Sequence, residues 1–159
     1  MGHLHLRSSF ATRTIGSRMR VLAIDLGSVR VGIAISDDLG LLAHPRPHLP
    51  GGDLPKLLRA LQQLASSEEV TRFIVGLPRH LNGSEGRAAR DARRFAAALG
   101  QHTGIEVTLC DEWLTTKEAQ ARLREGGNKQ RDSRNRIDSA AAAVLLQSWL
   151  DGQSAGAER

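Results

Sequence analysis

Two apolar runs on either side of a glycine turn, VLAIDLGSVRVGIAISD at residues 21–37, give the strongest structural signal in this 159-residue chain. The first run, Val21 to Asp25, ends in an acid, and Gly27 to Arg30 separates it from the second run, Val31 to Ser36. Short runs rich in valine and isoleucine around a glycine-containing turn are typical of a β-hairpin. We therefore predict that the folded part opens with two antiparallel strands.

A third extended segment, Leu41 to Leu49, follows the hairpin. Pro45 and Pro47 have no backbone N–H to give to a neighbouring strand, so this segment should lie at a sheet edge or end irregularly. Three sequential strands joined by short turns predict an antiparallel meander.

Helices and strands alternate after the meander. Asp53 is a candidate N-cap for a helix, because the apolar residues after it follow helical spacing. The predicted inner residues of this helix are Leu54, Leu57, Leu58, Leu61, Leu64 and Ala65. Phe73 to Val75 is predicted as a compact strand, since Gly76 and Pro78 follow it. This part of the chain therefore predicts a helix packed on one face and then a strand.

A second helix is predicted after the polar turn of residues 82–84, with Ser84 as its cap and Leu99 near its end. Its predicted inner stripe consists of Ala88, Ala92, Phe95, Ala96 and Leu99. Val107 to Cys110 is predicted as the next strand. Thr115 and Glu118 form a capping box, which predicts a helix to about residue 125. A final helix, rich in alanine and leucine, is predicted from Arg136 to about Leu150.

The resulting order is a three-strand antiparallel meander, then αβαβα, with a helix at the end. This order predicts an α/β fold whose mixed sheet is flanked by helices. We expect one domain over residues 19–152, preceded by a flexible or non-native extension at residues 1–18 and followed by a disordered tail at residues 153–159. The extension contains no acid and could also be a transit peptide.

Composition excludes several classes of protein. Apolar residues make up 40% of the chain and charged residues 25%, as in globular proteins. No stretch approaches the roughly 18 consecutive apolar residues of a membrane-spanning helix, so no membrane partner is expected. The single cysteine, Cys110, can form neither an internal disulfide nor a cysteine-based zinc site, which fits a cytoplasmic location.

Positive charge is concentrated in two segments. The net charge is +5, but four arginines without an acid lie in the first twenty residues, so the remainder carries only +1. Residues 72–94 and 117–136 each carry +4. Such segments are either solvated helix faces or contacts for nucleic-acid phosphates. The candidate contacts are Arg79, Arg87, Arg90, Lys129, Arg131, Arg134 and Arg136.

Three carboxylates are candidate metal ligands. Asp25 ends the first strand, Glu112 follows the strand that ends at Cys110, and Asp138 lies in the first turn of the final helix. Asp111 should point away from Glu112 because strand side chains alternate. Each acid alone could equally stabilise a turn, a strand end or a helix terminus. Together they offer the oxygen ligands that Mg²⁺ or Mn²⁺ prefers.

Four blocks of sequence from Met19 onward resemble one known family. They are VLAIDLGSVRVGIAISD, IVGLPRHLNGSEG, DEWLTTKEA and RIDSAAAAVLLQSWL, in this order and without a large insertion. They resemble the YqgF/RuvX family of Holliday junction resolvase-like proteins, also described as pre-16S rRNA nucleases. The resemblance implies a ribonuclease H-like fold and an active site of three acids, matched here by Asp25, Glu112 and Asp138. It also implies cytoplasmic trimming of the 5′ end of 16S rRNA precursor.

One position departs from the family pattern, which usually reads DER where this chain reads DEW. Trp113 thus stands where the family has an arginine able to contact phosphate. The resulting hypothesis is an endonuclease of structured nucleic acid that uses Mg²⁺ or Mn²⁺ and acts on pre-rRNA, with ribosomal precursor particles as candidate partners. The alternatives are a dimeric DNA junction resolvase, an ATP-binding protein of the actin and sugar-kinase type, and a non-catalytic nucleic-acid-binding adaptor.

Overall fold

The computed structural model describes residues 19–80, 82–111 and 133–157, with side chains in the last range described for 139–156. Five strands and three helices lie in these ranges. The strands are β1 (Arg20–Asp25), β2 (Arg30–Ser36), β3 (Ala43–Pro50), β4 (Val70–Leu77) and β5 (Glu106–Asp111). The helices are α1 (Leu54–Ser67), α2 (Arg87–Thr103) and α3 (Ser133–Ala157). The predicted helix near residues 115–125 lies outside the described residues.

The five strands form one mixed sheet in the order β3-β2-β1-β4-β5. β1 pairs antiparallel with β2, and β2 pairs antiparallel with β3, which confirms the predicted meander. β4 is parallel to both β1 and β5. β3 lies at a sheet edge, as its prolines required.

Two apolar cores cover the two faces of this sheet. Leu22 and Ile24 of β1 pack with buried residues of α1 and α2, whereas Val21 and Ala23 pack with α3. This division follows from the alternation of side chains along a strand. Ala23 is paired with Ala34 beneath α3, and these small side chains let the helix approach the sheet closely. The core is therefore divided into an α1/α2 face and an α3 face.

The first helix largely agrees with the sequence. The Asp53 carboxylate accepts a hydrogen bond from the Lys56 N–H at 3.1 Å, which confirms the predicted cap. Leu54, however, is 47% exposed, although it was expected on the inner stripe. It is the first residue of the helix and precedes the turn that packs on the sheet.

The start of α2 differs from the prediction. Gly86 is the N-cap and provides no side-chain hydrogen bond, so Ser84 is not the cap. The Ser84 hydroxyl and N–H instead donate to Asn82 Oδ1 at 2.6 and 3.0 Å, an arrangement in which asparagine stabilises a local turn. Ala89 is buried and Ala88 is exposed, because Ala89 shares a helical face with Ala92.

The final helix is longer than the sequence indicated. α3 begins at Ser133, three residues before the predicted start at Arg136, so Arg134 lies on the helix and Asp138 lies in the second turn instead of the first. It also continues through Ala157, where the sequence predicted a disordered tail from residue 153. The Ser154 hydroxyl donates to the Leu150 carbonyl at 3.3 Å, and the alanines of this stretch have high helix propensity. In the described part of the chain, no helix has the length and apolar character needed to cross a membrane.

Candidate active site at the carboxyl end of β1

Asp25 is the last residue of β1 and is paired with Gly32 of β2. Its side chain is half-buried and alternates with Val21 and Ala23, so it belongs to the α3 face of the sheet. No hydrogen bond or ion pair joins the Asp25 carboxylate to another residue in the described ranges. None of the described side chains therefore occupies either carboxylate oxygen.

The turn after Asp25 is held in a tight conformation. A Cβ atom at Gly27 would lie 2.3 Å from the Arg30 carbonyl oxygen, so only glycine fits there. The N–H of Gly51 donates to the Val29 carbonyl at 2.8 Å and fastens the end of β3 to the turn. These contacts fix the backbone of the turn that follows Asp25.

α3 is attached to the sheet next to this position. The Ile33 N–H donates to the Ser139 hydroxyl oxygen at 3.2 Å, and Ser139 is fully buried. Ile33 is the cross-strand partner of Ile24, the residue before Asp25. Asp138 directly precedes Ser139 on α3. The helix backbone at Asp138 therefore lies on the α3 face, close to the carboxyl end of β1.

Asp111 ends β5 on the opposite face of the sheet. Its neighbours Val107 and Leu109 pack with the α1/α2 core, whereas Cys110 packs with the α3 core. The Arg79 Nε donates to Asp111 Oδ1 at 2.7 Å. Asp111 is thus engaged away from Asp25, in agreement with the alternation expected of the acid pair.

Arg79, one of the predicted phosphate contacts, takes part in ion pairs within the protein. Besides bonding Asp111, its guanidinium lies 3.7 Å from a carboxylate oxygen of Glu85. Glu85 also accepts a hydrogen bond from Arg93 Nε at 2.9 Å. The Arg93 hydrogen bond lowers the pKa of Glu85, and the positive charges of Arg93 and Arg79 add to this effect. These four side chains form an ion-pair network between the β4–α2 loop, β5 and α2.

Arg87 and Arg90 are exposed on the first turns of α2. Neither makes an ion pair with a residue of the described ranges. Arg94 is also exposed and unpaired there. It lies seven residues after Arg87 and four after Arg90, so the three arginines share one helical face. The sequence analysis did not single out Arg94, although its spacing from Arg87 and Arg90 was a usable signal.

The structure gives little information on the remaining predicted site residues. Glu112, Lys129 and Arg131 lie outside the described residues. Asp138, Arg134 and Arg136 are described only as backbone positions of α3. Within the described ranges no three His, Cys, Asp or Glu side chains are grouped as a metal site. Asp25 is therefore the member of the predicted acid trio whose side-chain surroundings are known.

Two polar residues of α3 were missed by the sequence analysis. Ser139 and Gln147 are both buried, and both bond to the sheet backbone. Gln147 Oε1 accepts from the Ala43 N–H and its Nε2 donates to the Leu41 carbonyl, each at 3.0 Å. The available signal was a polar residue on the apolar face of a helix. Cys110, by contrast, packs against the α3 core, and burial and then the nearby Asp111 charge raise the pKa of its thiol.

Comparison with known proteins identifies relatives over most of this chain. Residues 19–152 match the family described as "RuvX: Holliday junction resolvase". A protein of Anaeromyxobacter sp. named "Putative pre-16S rRNA nuclease" is 45% identical over 141 residues, which cover 86% of this chain and 100% of that protein. A protein of the same name from Rhodococcus erythropolis is 46% identical over 143 residues, covering 86% and 80%.

The fold is shared with a solved resolvase structure. RuvC of T. thermophilus, in complex with a Holliday junction substrate, superposes with a TM-score of 0.59 at 13% identity, covering 86% of this chain and 96% of that one. This similarity confirms the ribonuclease H-like fold predicted from the sequence. From the family match over residues 19–152 and the identity to these relatives, it follows that the chain belongs to the RuvX family of Holliday junction resolvases.

Proposed function

We propose that this protein is a divalent-metal-dependent endonuclease of structured nucleic acid that processes the 5′ end of 16S rRNA precursor in the cytoplasm. The names of its curated relatives support the nuclease activity and the RNA substrate. The observation that carries the proposal is the Ile33–Ser139 hydrogen bond, which holds α3 at the sheet end where the Asp25 carboxylate has no partner among the described residues. A strand-end carboxylate beside a helix that carries an acid, Asp138, in its second turn is a suitable frame for metal-assisted phosphodiester chemistry.

The donor chemistry of this frame fits a hard divalent cation. No lysine or arginine side chain among the described residues pairs with the Asp25 carboxylate. Its oxygens are the kind of ligand that Mg²⁺ and Mn²⁺ prefer. We propose Asp25, Glu112 and Asp138 as the ligands. Glu112 is preferred to Asp111 because Asp111 is bonded to Arg79 on the opposite face. When bound, the cation would activate a water molecule and stabilise the leaving oxygen.

The protein itself must overcome the repulsion between three acids and a polyanion. Arg87 and Arg90 are suited to this task, because they are exposed and make no ion pair with a described residue. Lys129, Arg131, Arg134 and Arg136 are proposed to extend the contact beside the acids. Phosphate contacts of this kind weaken as the salt concentration rises, because binding releases counterions from the nucleic acid.

The direct test is removal of the Asp25 charge. Asp25→Asn should reduce metal-dependent cleavage of a pre-16S rRNA fragment by at least about 100-fold, since one carboxylate of the metal site is lost. Asp91→Asn, the same chemical change at an exposed position of α2, should cleave like the parent. Cleavage by purified Asp25→Asn at the parental rate, under matched Mn²⁺, would show that the site is elsewhere.

Cleavage of DNA junctions is a second candidate, because the matched family is described by that activity. A four-way junction requires two symmetric cuts, so a resolvase would act as a homodimer. Competition between labelled pre-rRNA and a synthetic four-way junction distinguishes the two substrates. Binding of either one without any metal-dependent product would instead identify a non-catalytic adaptor.

A further inference from the structure

We infer that Ser139 is a positioning residue for the metal site: its hydroxyl fixes α3 against β2, and thereby sets the separation between Asp138 and Asp25. The inference rests on the proposed function, because it assigns a role toward the same metal ligands. Ser139 does not itself belong to the acid trio. It acts through the backbone of the helix on which Asp138 lies.

The hydrogen bond is made at an irregularity in the sheet. Val31 pairs with Leu49, but Ile33 pairs with Arg46, so β3 has one residue more than β2 across this step. Such a bulge disrupts the regular ladder of backbone hydrogen bonds. A buried N–H at a disrupted position needs an acceptor, and Ser139 Oγ supplies one to Ile33 at 3.2 Å.

The bond links two positions next to the proposed ligands. Ile33 is paired with Ile24, the residue before Asp25, and Ser139 is the residue after Asp138. A serine hydroxyl is separated from its own backbone by a single rotatable side-chain bond, so this contact restrains the helix backbone closely. The link spans 106 residues of sequence and is fully buried, so water does not compete for it.

Gln147 provides a second tether of the same kind, away from Asp25. It bonds the backbone of Leu41 and Ala43, and Ala43 pairs with Ser36. Ser36 lies four residues beyond Gly32 along β2, about 13 Å from the Asp25 pair. The two tethers therefore bind the same helix to the same sheet, but only the Ser139 tether lies beside the metal site.

The experiment compares Ser139→Ala with Gln147→Leu, each of which leaves buried backbone groups without a partner. Both variants should unfold at lower temperature than the parent. Calorimetric titration with Mn²⁺ should show an affinity about 10-fold or more weaker for Ser139→Ala, as found for residues that orient metal ligands, and within about twofold of the parent for Gln147→Leu. Ser139→Thr, which keeps the hydroxyl, should recover most of the Mn²⁺ affinity.

The outcomes separate the inference from the proposed function. Parental Mn²⁺ affinity in Ser139→Ala, or an equal loss in Gln147→Leu, would overturn the positioning role. Parental Mn²⁺ affinity in Asp25→Asn would instead refute the metal site itself. If Ser139→Ala does not fold, Ser139→Cys, which keeps the size but has a weaker acceptor, replaces it with the same expected loss.

Discussion

Gly27 shows how a single residue determines the geometry beside Asp25. A Cβ atom there would lie 2.3 Å from a backbone oxygen of Arg30, and backbone atoms of a braced turn cannot move away easily. Gly27→Ala should therefore destabilise the protein by about 1–3 kcal/mol, the usual cost of overpacking. Gly152→Ala in α3 is the matched control, because a Cβ atom added at Gly152 would have no atom within 4 Å. This variant should stabilise the protein by about 0.5–1 kcal/mol, since alanine favours a helix more than glycine does. Urea unfolding of both variants measures the difference, and equal stabilities would refute the steric argument.

Glu85 gives a prediction for pH dependence at the same scale. Its pKa is lowered from 4.5, first by the Arg93 hydrogen bond, so its stabilising effect is present above about pH 4.5 and is lost as the pH falls through the lowered pKa. The thermal midpoint of the parent should thus fall more steeply below pH 4.5 than that of Glu85→Gln. Asp91→Asn removes an acid of α2 that makes no ion pair with a described residue, and it should keep the parental slope. Identical slopes for parent and Glu85→Gln would show that the network contributes nothing to folding.

At the scale of elements, α2 contains two kinds of arginine. Arg87 and Arg90 are unpaired within the described ranges, whereas Arg93 is bonded to Glu85. The double variant Arg87→Ala/Arg90→Ala should weaken RNA binding and reduce the slope of log affinity against log salt by about 2, one for each lost phosphate contact. Arg93→Ala, on the same helix, should leave that slope unchanged. Filter-binding assays between low and moderate salt measure it, and equal slopes in all three proteins would exclude α2 from the interface.

The elements themselves were predictable where the signal is local. Proline forced β3 to an edge, and Asp53 capped α1, because both effects act within a few residues. The inner face of α2 was harder to assign, because Ala88 and Ala89 are adjacent in the sequence. Ala89 is the buried one, since it lies on the same helical face as the buried Ala92. The length of α3 was also missed, because alanine, serine and glutamine are compatible with either a helix or a polar tail.

At the scale of the whole molecule, the sheet separates two cores, and only the α3 core lies on the side of Asp25. Leu146 in the α3 core and Leu61 in the α1/α2 core are both fully buried. Each truncation to alanine should cost about 2–5 kcal/mol of folding free energy. Mn²⁺ affinity, measured well below both unfolding midpoints, should fall in Leu146→Ala because α3 loosens, and should stay parental in Leu61→Ala. Equal Mn²⁺ affinities would show that the seating of α3 does not influence the site.

The positions of the candidate site residues could be predicted from local sequence, but their proximity in space depends on long-range contacts. Asp25 could be located from the sequence, because an apolar run that ends in an acid before glycine defines a strand end. Glu112 and Asp138 were indicated by their places after a strand and in a helix, and by the resemblance to a family. That these two carboxylates lie close to Asp25 stays a prediction, since their side chains are not among those that the structure describes.

The sequence by itself determined the meander, the edge position of β3, the strand end at Asp25 and the family of the chain, because hydrophobic periodicity and the chemistry of proline and glycine act over short distances. Only the tertiary structure decided that Arg79 pairs with Asp111, 32 residues away, and that Ser139 bonds Ile33 across 106 residues. Such partners have no local signature. Their hydrogen bonds exist only once the helices have packed on the two faces of the sheet.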